Sequence, residues 1–336
     1  MPAPRRSFTY IGQRFGFSTL PQATIIARNF ANVTTALYRG TLWKLGSGAG
    51  AAAVATCNTV TCTLNSTVGT TTFSNAYTYT LNPAVGVVWD TALPTTGIPS
   101  VAANNDGTGI LSFTSGDQLA FSRPAAPVAD FTASINASIA LVDASETGGA
   151  IGTTNPAKFN AIAFDATYVG PPAQANRFFF GRLRLDNAYG SQLLSMPVPM
   201  KAQYWNGTAF ITNTLDNCTT IALANVALGN YQRNLNAGET VVTVGGAFSA
   251  GVGSLRLSAP GAANNGSVDV SINLTGIAAG ASCTAGMPAS TGASLSYLQG
   301  LWCTPPGTYA SDPTARATFG VYRNANQFIY QREYFQ

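Results

Sequence analysis

The sequence predicts an all-β protein built from two antiparallel β-sandwich, immunoglobulin-like domains. Three observations predict it: apolar residues alternate with polar ones over strand-length runs, turn residues punctuate those runs at short intervals, and charge is scarce. Hydrophobic residues make up 46% of the 336-residue chain. Charged residues make up only 9%, against roughly 25% in an average soluble domain. Ser, Thr, Asn, Gln and Gly must therefore keep the surface wet, which is the palette of secreted and cell-surface β-proteins.

The alternation is clearest at Phe131, Ala133, Ile135, Ala137, Ile139 and Leu141, each followed by a polar or small residue. It recurs at Val268, Val270, Ile272 and Leu274, which alternate with Asp269, Ser271 and Asn273, and at Leu255 and Leu257. Such patterns place one face on the core and one in water, so Asp269, Ser271 and Asn273 are expected at solvent. Asn206-Gly207 lies between two strand-like runs and fits a type I′ hairpin turn. Residues 317–322 and 327–334 read as a C-terminal hairpin, and residues 293–301 as one or two helical turns. Pro171 and Pro172 oppose strand pairing and stiffen a linker. They divide the chain into domains at residues 7–170 and 177–336.

The chain contains no histidine. That removes the usual general base near neutral pH and the commonest metal ligand, and with them Ser-His-Asp, Cys-His and His-metal chemistry. The carboxylates sit mostly at turn-like positions, where Asp bonds its own backbone, and no pair is marked for glycoside hydrolysis. Residues 104–109, with Asn104 and Asp106, offer oxygen atoms but not the ligand set of a calcium loop. Neither a metal nor a cofactor is expected. The net charge of +4 is dispersed; Arg177, Arg182 and Arg184 form its densest stretch and read as a solvated strand face. No basic run interleaved with aromatics points to nucleic acid.

Five cysteines occur and none forms a CxxC motif. Cys57 and Cys62 read as a small disulfide loop across a hairpin, which implies an oxidising compartment. Cys218, Cys283 and Cys303 leave three possible pairs and an odd thiol. No stretch approaches the roughly 18 apolar residues of a membrane span. Residues 1–6 lack the apolar core of a secretion signal, so an export signal is expected outside this chain. Among the tryptophans, Trp43, Trp89 and Trp302 suit core packing. Trp205 adjoins the Asn206 turn, near a loop tip where its ring can stack on a sugar.

The chain resembles a known family. The resemblance rests on Phe8-Thr-Tyr-Ile-Gly-Gln-Arg-Phe-Gly-Phe-Ser-Thr19, Trp43-Lys44-Leu45 and Phe180-Gly-Arg-Leu-Arg-Leu-Asp-Asn-Ala-Tyr-Gly-Ser191. It continues through Pro197-Val-Pro-Met200, Ala202-Gln-Tyr-Trp-Asn-Gly207, Asn213-Thr-Leu-Asp-Asn-Cys-Thr219 and Leu235-Asn-Ala-Gly-Glu-Thr240. It closes on Asp312-Pro-Thr-Ala-Arg-Ala-Thr-Phe-Gly-Val-Tyr322 and Phe328-Ile-Tyr-Gln-Arg-Glu-Tyr334. In this order they look like the C-terminal domain of MshQ-type proteins, exported bacterial proteins associated with the mannose-sensitive haemagglutinin type IV pilus. The resemblance implies surface display and adhesion and supplies no catalytic residues. Relatives have a shorter, acidic segment before the Asp312 motif, whereas this chain has a longer one flanked by Cys283 and Cys303. On that basis a Cys283–Cys303 disulfide is expected, with Cys218 left over.

These readings together lead to a non-enzymatic, extracytoplasmic surface or pilus-associated binding module. Pilus proteins, other cell-surface proteins or surface glycans are the expected partners. Trp205, Asn206, Asn104, Asp106 and the Cys283–Cys303 loop are the expected contacts. A structural unit assembled by strand addition, with the C-terminal hairpin or residues 5–15 as donor, is the alternative. An extracellular polysaccharide hydrolase comes third.

Overall fold

The computed structural model describes residues 8–46, 50–52, 55–145, 156–162, 164, 176–303 and 308–320. The C-terminal hairpin, apart from residues 317–320, and most of the Pro171-Pro172 linker lie outside them. The regular structure is nearly all β, and among the described residues the only helical turns are three-residue 3-10 turns, one of them Ser296–Leu298 within the expected 293–301 stretch. No helix among these residues is long and apolar enough to cross a membrane. Two compact units divide at Phe180 and Gly181.

The first unit contains β1 (Thr9–Tyr10), β2 (Gln22–Ile26), β3 (Ala51–Ala52), β4 (Thr56–Cys57), β5 (Thr61–Val68), β6 (Thr71–Asn82), β7 (Ser100–Ala103), β8 (Thr108–Ser112), β9 (Phe131–Asp143), β10 (Ala157–Phe159) and β11 (Asn176–Phe179). Its larger sheet runs β1-β11-β9-β6-β5-β3, with β10 on β9 and β4 on β5; a smaller one runs β2-β8-β7. The long β6–β9 pairing, from Thr71 opposite Asp143 to Asn82 opposite Thr132, forms the middle of the larger sheet. The apolar set from Phe131 to Leu141 is buried as its alternation requires. Against it lie aromatic rings, with Trp89 stacked on Phe121 at 4.5 Å and Phe131 on Phe178 at 5.3 Å. Cys57 and Cys62 are directly opposed across β4 and β5 and form the expected disulfide.

β11, whose residues were expected to open the second domain at 177, pairs instead with β9 and β1 of the first sheet. The physical reason is its Phe178 and Phe179, which are both fully buried and need this aromatic core. β1 is thereby occupied within its own sheet, and Phe8, Tyr10 and Ile11 are buried, so this part of the 5–15 stretch is not a spare donor strand.

A buried carboxylate organises the same core. Asp117 accepts Asn75 Nδ2, Tyr77 Oη at 2.8 Å, Thr96 Oγ1 at 3.1 Å and the Gly97 amide at 2.9 Å. Burial pushes its acid upward against these hydrogen bonds, and burial together with the neighbouring Asp117 pushes the Tyr77 phenol well above its ordinary value.

The second unit contains β12 (Gly181–Leu185), β13 (Ala188–Gly190), β14 (Met196–Trp205), β15 (Phe210–Thr212), β16 (Val226–Arg233), β17 (Val242–Val244), β18 (Val252–Leu257), β19 (Gly266–Ile272) and β20 (Thr314–Phe319). One sheet runs β12-β14-β18-β17 with β15 on β14; the other runs β13-β20-β19-β16. Among the named strands pairing is antiparallel except at two sheet edges, where β1 meets β11 and β13 meets β20 in parallel. Both parallel partners join from distant points in the chain, as parallel pairing demands. Leu183, Val198, Met200, Leu255 and Leu257 of one sheet and Val268, Val270, Ala315 and Phe319 of the other are buried.

Asp143, at the end of β9, gives a pH test of the first sheet. Burial raises its acid, but hydrogen bonds from Ser145, Thr71 and Thr70 outweigh it and hold the pKa at about 2. A depressed folded pKa contributes stability that is complete above the unfolded value of about 4 and is lost as pH falls through 2. Thermal midpoints between those pH values are expected to fall less steeply in Asp143→Asn than in the parent chain. Parallel slopes would contradict the assignment.

Candidate functional site

The alternation in β19 predicts a wet polar face, and the structure buries it. Asp269, Ser271 and Asn273 are as inaccessible as the apolar residues between them, because residues 275–303 fold back over that face. Polar groups tolerate this only when hydrogen-bonded, and these are. Asn273 Nδ2 donates to the Ile277 and Ser290 carbonyls at 2.6 Å each, while its Oδ1 accepts the Thr275 amide and hydroxyl. Asn225 Nδ2 donates to the carbonyls of Asn273 at 2.7 Å and Ala293 at 3.0 Å. Asn230 Nδ2 bridges Asp269 Oδ2 at 3.0 Å and the Ala285 carbonyl at 2.9 Å. Asp312, 1% exposed, accepts the Leu274 amide, the Ala281 amide and Gln299 Nε2 at 3.1, 2.6 and 3.1 Å. The Cys283–Cys303 disulfide closes the segment.

This clamp carries Trp302 to Arg182. Arg182 is on β12, and its Nε donates to Gln203 Oε1 of β14 at 2.9 Å. Its guanidinium lies 3.8 Å from the Phe210 ring centroid and 5.0 Å from that of Trp302. Burial lowers its pKa from the ordinary arginine value. Phe210 meets Trp205 edge-on at 5.2 Å and Tyr309 at 5.7 Å. All four rings are half-buried. The result is a cation held among aromatic faces that retain contact with solvent. Trp302 also borders a cavity of about 270 Å³ lined by Asp269, Cys283, Thr284, Asp312, Thr314 and Arg316 among others.

Residues 1–166 match the third domain of DUF6701 and residues 179–334 match its fourth. The chain belongs to the DUF6701 family. No curated protein matches it. The matched domains succeed one another in order, and the gap between them precedes the break at Phe180. DUF6701 is a domain of unknown function and assigns no ligand, so chemistry must be read from the residues.

The platform lies wholly in the fourth DUF6701 domain. It unites Trp205 with the Cys283–Cys303 loop through Phe210, Arg182 and Trp302. Asn206 neighbours it but is occupied in its turn, where Oδ1 accepts the Thr208 amide and hydroxyl and the Ala209 amide. Only Gly207 of the pair has positive φ, and Trp205 pairs with Phe210 across four residues. The hairpin is therefore real but not type I′, because the asparagine side chain caps the turn itself. Asn104 and Asp106 lie in the third domain, in the turn joining β7 to β8. Asp106 accepts the Thr108 hydroxyl and amide, which lower its pKa.

Sequence reading missed Arg182, Phe210 and Tyr309 as site residues. Phe210 was missed because the expected two-residue turn sets Thr208 opposite Trp205, whereas the four-residue turn brings Phe210 there. Tyr309 left no signal. Arg182 does share an outward face with Arg184, yet the returning Trp302 covers it. Asp269 and Asp312 line one cavity, a pairing that nothing in the sequence marks. Both are engaged, Asp312 as above and Asp269 by Arg316 at 2.8 Å and by Asn230. Among the described residues no three His, Cys, Asp or Glu converge as a metal site. Cys218 is in neither disulfide; its thiol lies 3.8 Å from Asp216 Oδ1.

Replacing Cys283 and Cys303 together by Ser is expected to cost roughly 3 kcal/mol of stability by loop-closure entropy. The check is the denaturant midpoint, followed through Trp302 emission. An unchanged midpoint would remove the disulfide from the clamp.

Proposed function

We propose that this chain is a non-enzymatic binding module of an extracytoplasmic bacterial surface protein, and that its fourth DUF6701 domain holds a surface glycan on the platform around Arg182. The observation that carries the reading is the set of half-exposed Trp205, Phe210, Trp302 and Tyr309 rings about one guanidinium. Aromatic faces offer flat apolar area to the C–H faces of sugar rings, and their polar edges stay wet. A guanidinium held in a fixed plane adds directed donors to hydroxyl or carboxylate oxygens. The clamp holds the platform in place before binding, which lowers the ordering cost of recognition. Two disulfides support an oxidising, non-cytoplasmic setting. The resemblance to MshQ-type proteins supports placement on a pilus-bearing surface and a role in adhesion.

The test is a glycan array probed with the full chain. Binding is expected, with Trp205→Ala and Phe210→Ala each weakening it about fivefold to tenfold and leaving the thermal midpoint near the parent's. An array without signal from a folded sample, or signal indifferent to both substitutions, would overturn the reading.

A further inference from the structure

The third DUF6701 domain carries an independent surface. Between β2 and β3, residues 27–44 form a loop whose apolar side chains face water. Phe30 is fully exposed, and Val33, Leu37 and Leu42 are 59%, 70% and 55% exposed. Single exposed apolar residues are ordinary, but a cluster marks an interaction site.

The loop is built rather than frayed. Asn29 donates its amide to the Val33 carbonyl and accepts the Val33 amide at Oδ1, at 2.9 and 3.0 Å. Arg28 Nη1 donates to the Asn32 carbonyl at 2.9 Å, and the Thr35 amide donates to the Ala27 carbonyl at 2.9 Å. The β7–β8 turn braces it, with the Ala27 amide donating to Gly107 O at 2.8 Å. Gly107 has φ of +81° and packs against Thr35 where a Cβ would collide. The Trp43 ring lies over Gly109, where a Cβ would come within 2.7 Å of it. These bonds fix the backbone so that Phe30 projects from the turn.

Charge selects the partner. Arg28, Arg39 and Lys44 are exposed within the same segment. Arg5, Arg6, Arg14, Arg28, Arg39 and Lys44 all precede Asp90, the first carboxylate of the chain. On the bracing turn, Asp106 accepts the amide and hydroxyl of Thr108. A projecting tip offers little of the roughly 800 Å² per partner that a stable protein interface uses, and lysine is depleted in such interfaces. A few apolar side chains with adjacent cations do meet the two needs of an anionic lipid surface: insertion at the acyl boundary and attraction to headgroups.

We propose that residues 27–44 dock the chain on an anionic phospholipid bilayer, with Phe30 inserted and Arg39 and Lys44 against the headgroups. The experiment is co-sedimentation of the full chain with vesicles of mixed phosphatidylcholine and phosphatidylglycerol, at low and high salt, beside vesicles of phosphatidylcholine alone. Binding to the anionic vesicles that weakens with salt is expected. Phe30→Ser should weaken it about tenfold or more. Arg39→Ser combined with Lys44→Ser should weaken it roughly 25-fold, about fivefold per cation. Both variants alter only exposed side chains, so their thermal midpoints should match the parent's. Absence of binding at low salt, or binding that survives Phe30→Ser, would overturn the proposal. Phe30-dependent self-association without vesicle binding would also overturn it, assigning the loop to contact between copies.

Discussion

The Asp312 carboxylate gathers three points of the chain that precedes it. It holds the Leu274 amide at the end of β19, the Ala281 amide in the returning segment and the Gln299 side chain beyond it. Unmet, a buried carboxylate and its donors would be strongly destabilising. Met together, they make the segment a lid that Asn230 of β16, and Asn225 and Asn273 beside the ends of β16 and β19, complete from beneath. The position of Trp302 follows from that lid, and the setting of Arg182 between two aromatic rings follows from Trp302. Asp117 serves the first unit similarly, tying β6 to the Thr96-Gly97 stretch through Asn75 and Tyr77. Asp117 and Asp312 are thus buried where backbone segments must meet, and each acid is a junction whose oxygens are already taken.

Much of the scaffold could be read from residue order. The 131–141 alternation became β9 with the expected face buried, Leu255 and Leu257 became the inward residues of β18, and the Asn206-Gly207 pair marked a true hairpin. The Cys57–Cys62 bond followed from spacing across a hairpin, and the Cys283–Cys303 bond from a family resemblance. Reading stopped where distant segments return. Period-two patterning reports which residues are polar, not whether a loop will later cover them, so Asp269, Ser271 and Asn273 looked solvated. Arg182 looked solvated for the same reason. The exposed loop with Phe30 carried no periodic signal, because its conformation comes from side-chain caps and from the neighbouring β7–β8 turn.

The two surfaces divide naturally between the domains. The fourth carries a rigid, half-exposed aromatic and cationic platform suited to a compact polar ligand. The third carries a projecting apolar loop among cations, suited to a soft, negatively charged plane. On the proposed readings each domain contributes one contact of its own, and neither contact calls for catalysis. The scarcity of charge elsewhere fits such a role, since little long-range field competes with the two local sites.

The most direct measurement is a nitrogen–proton correlation spectrum of the full chain, recorded while a glycan captured on the array is added. The indole N–H signals of Trp205 and Trp302 and the Nε–H signal of Arg182 should move together, while those of Trp43 and Trp89 stay in place. Movement of the Trp43 or Trp89 signal with the platform signals unmoved would contradict the clamped platform as the binding site.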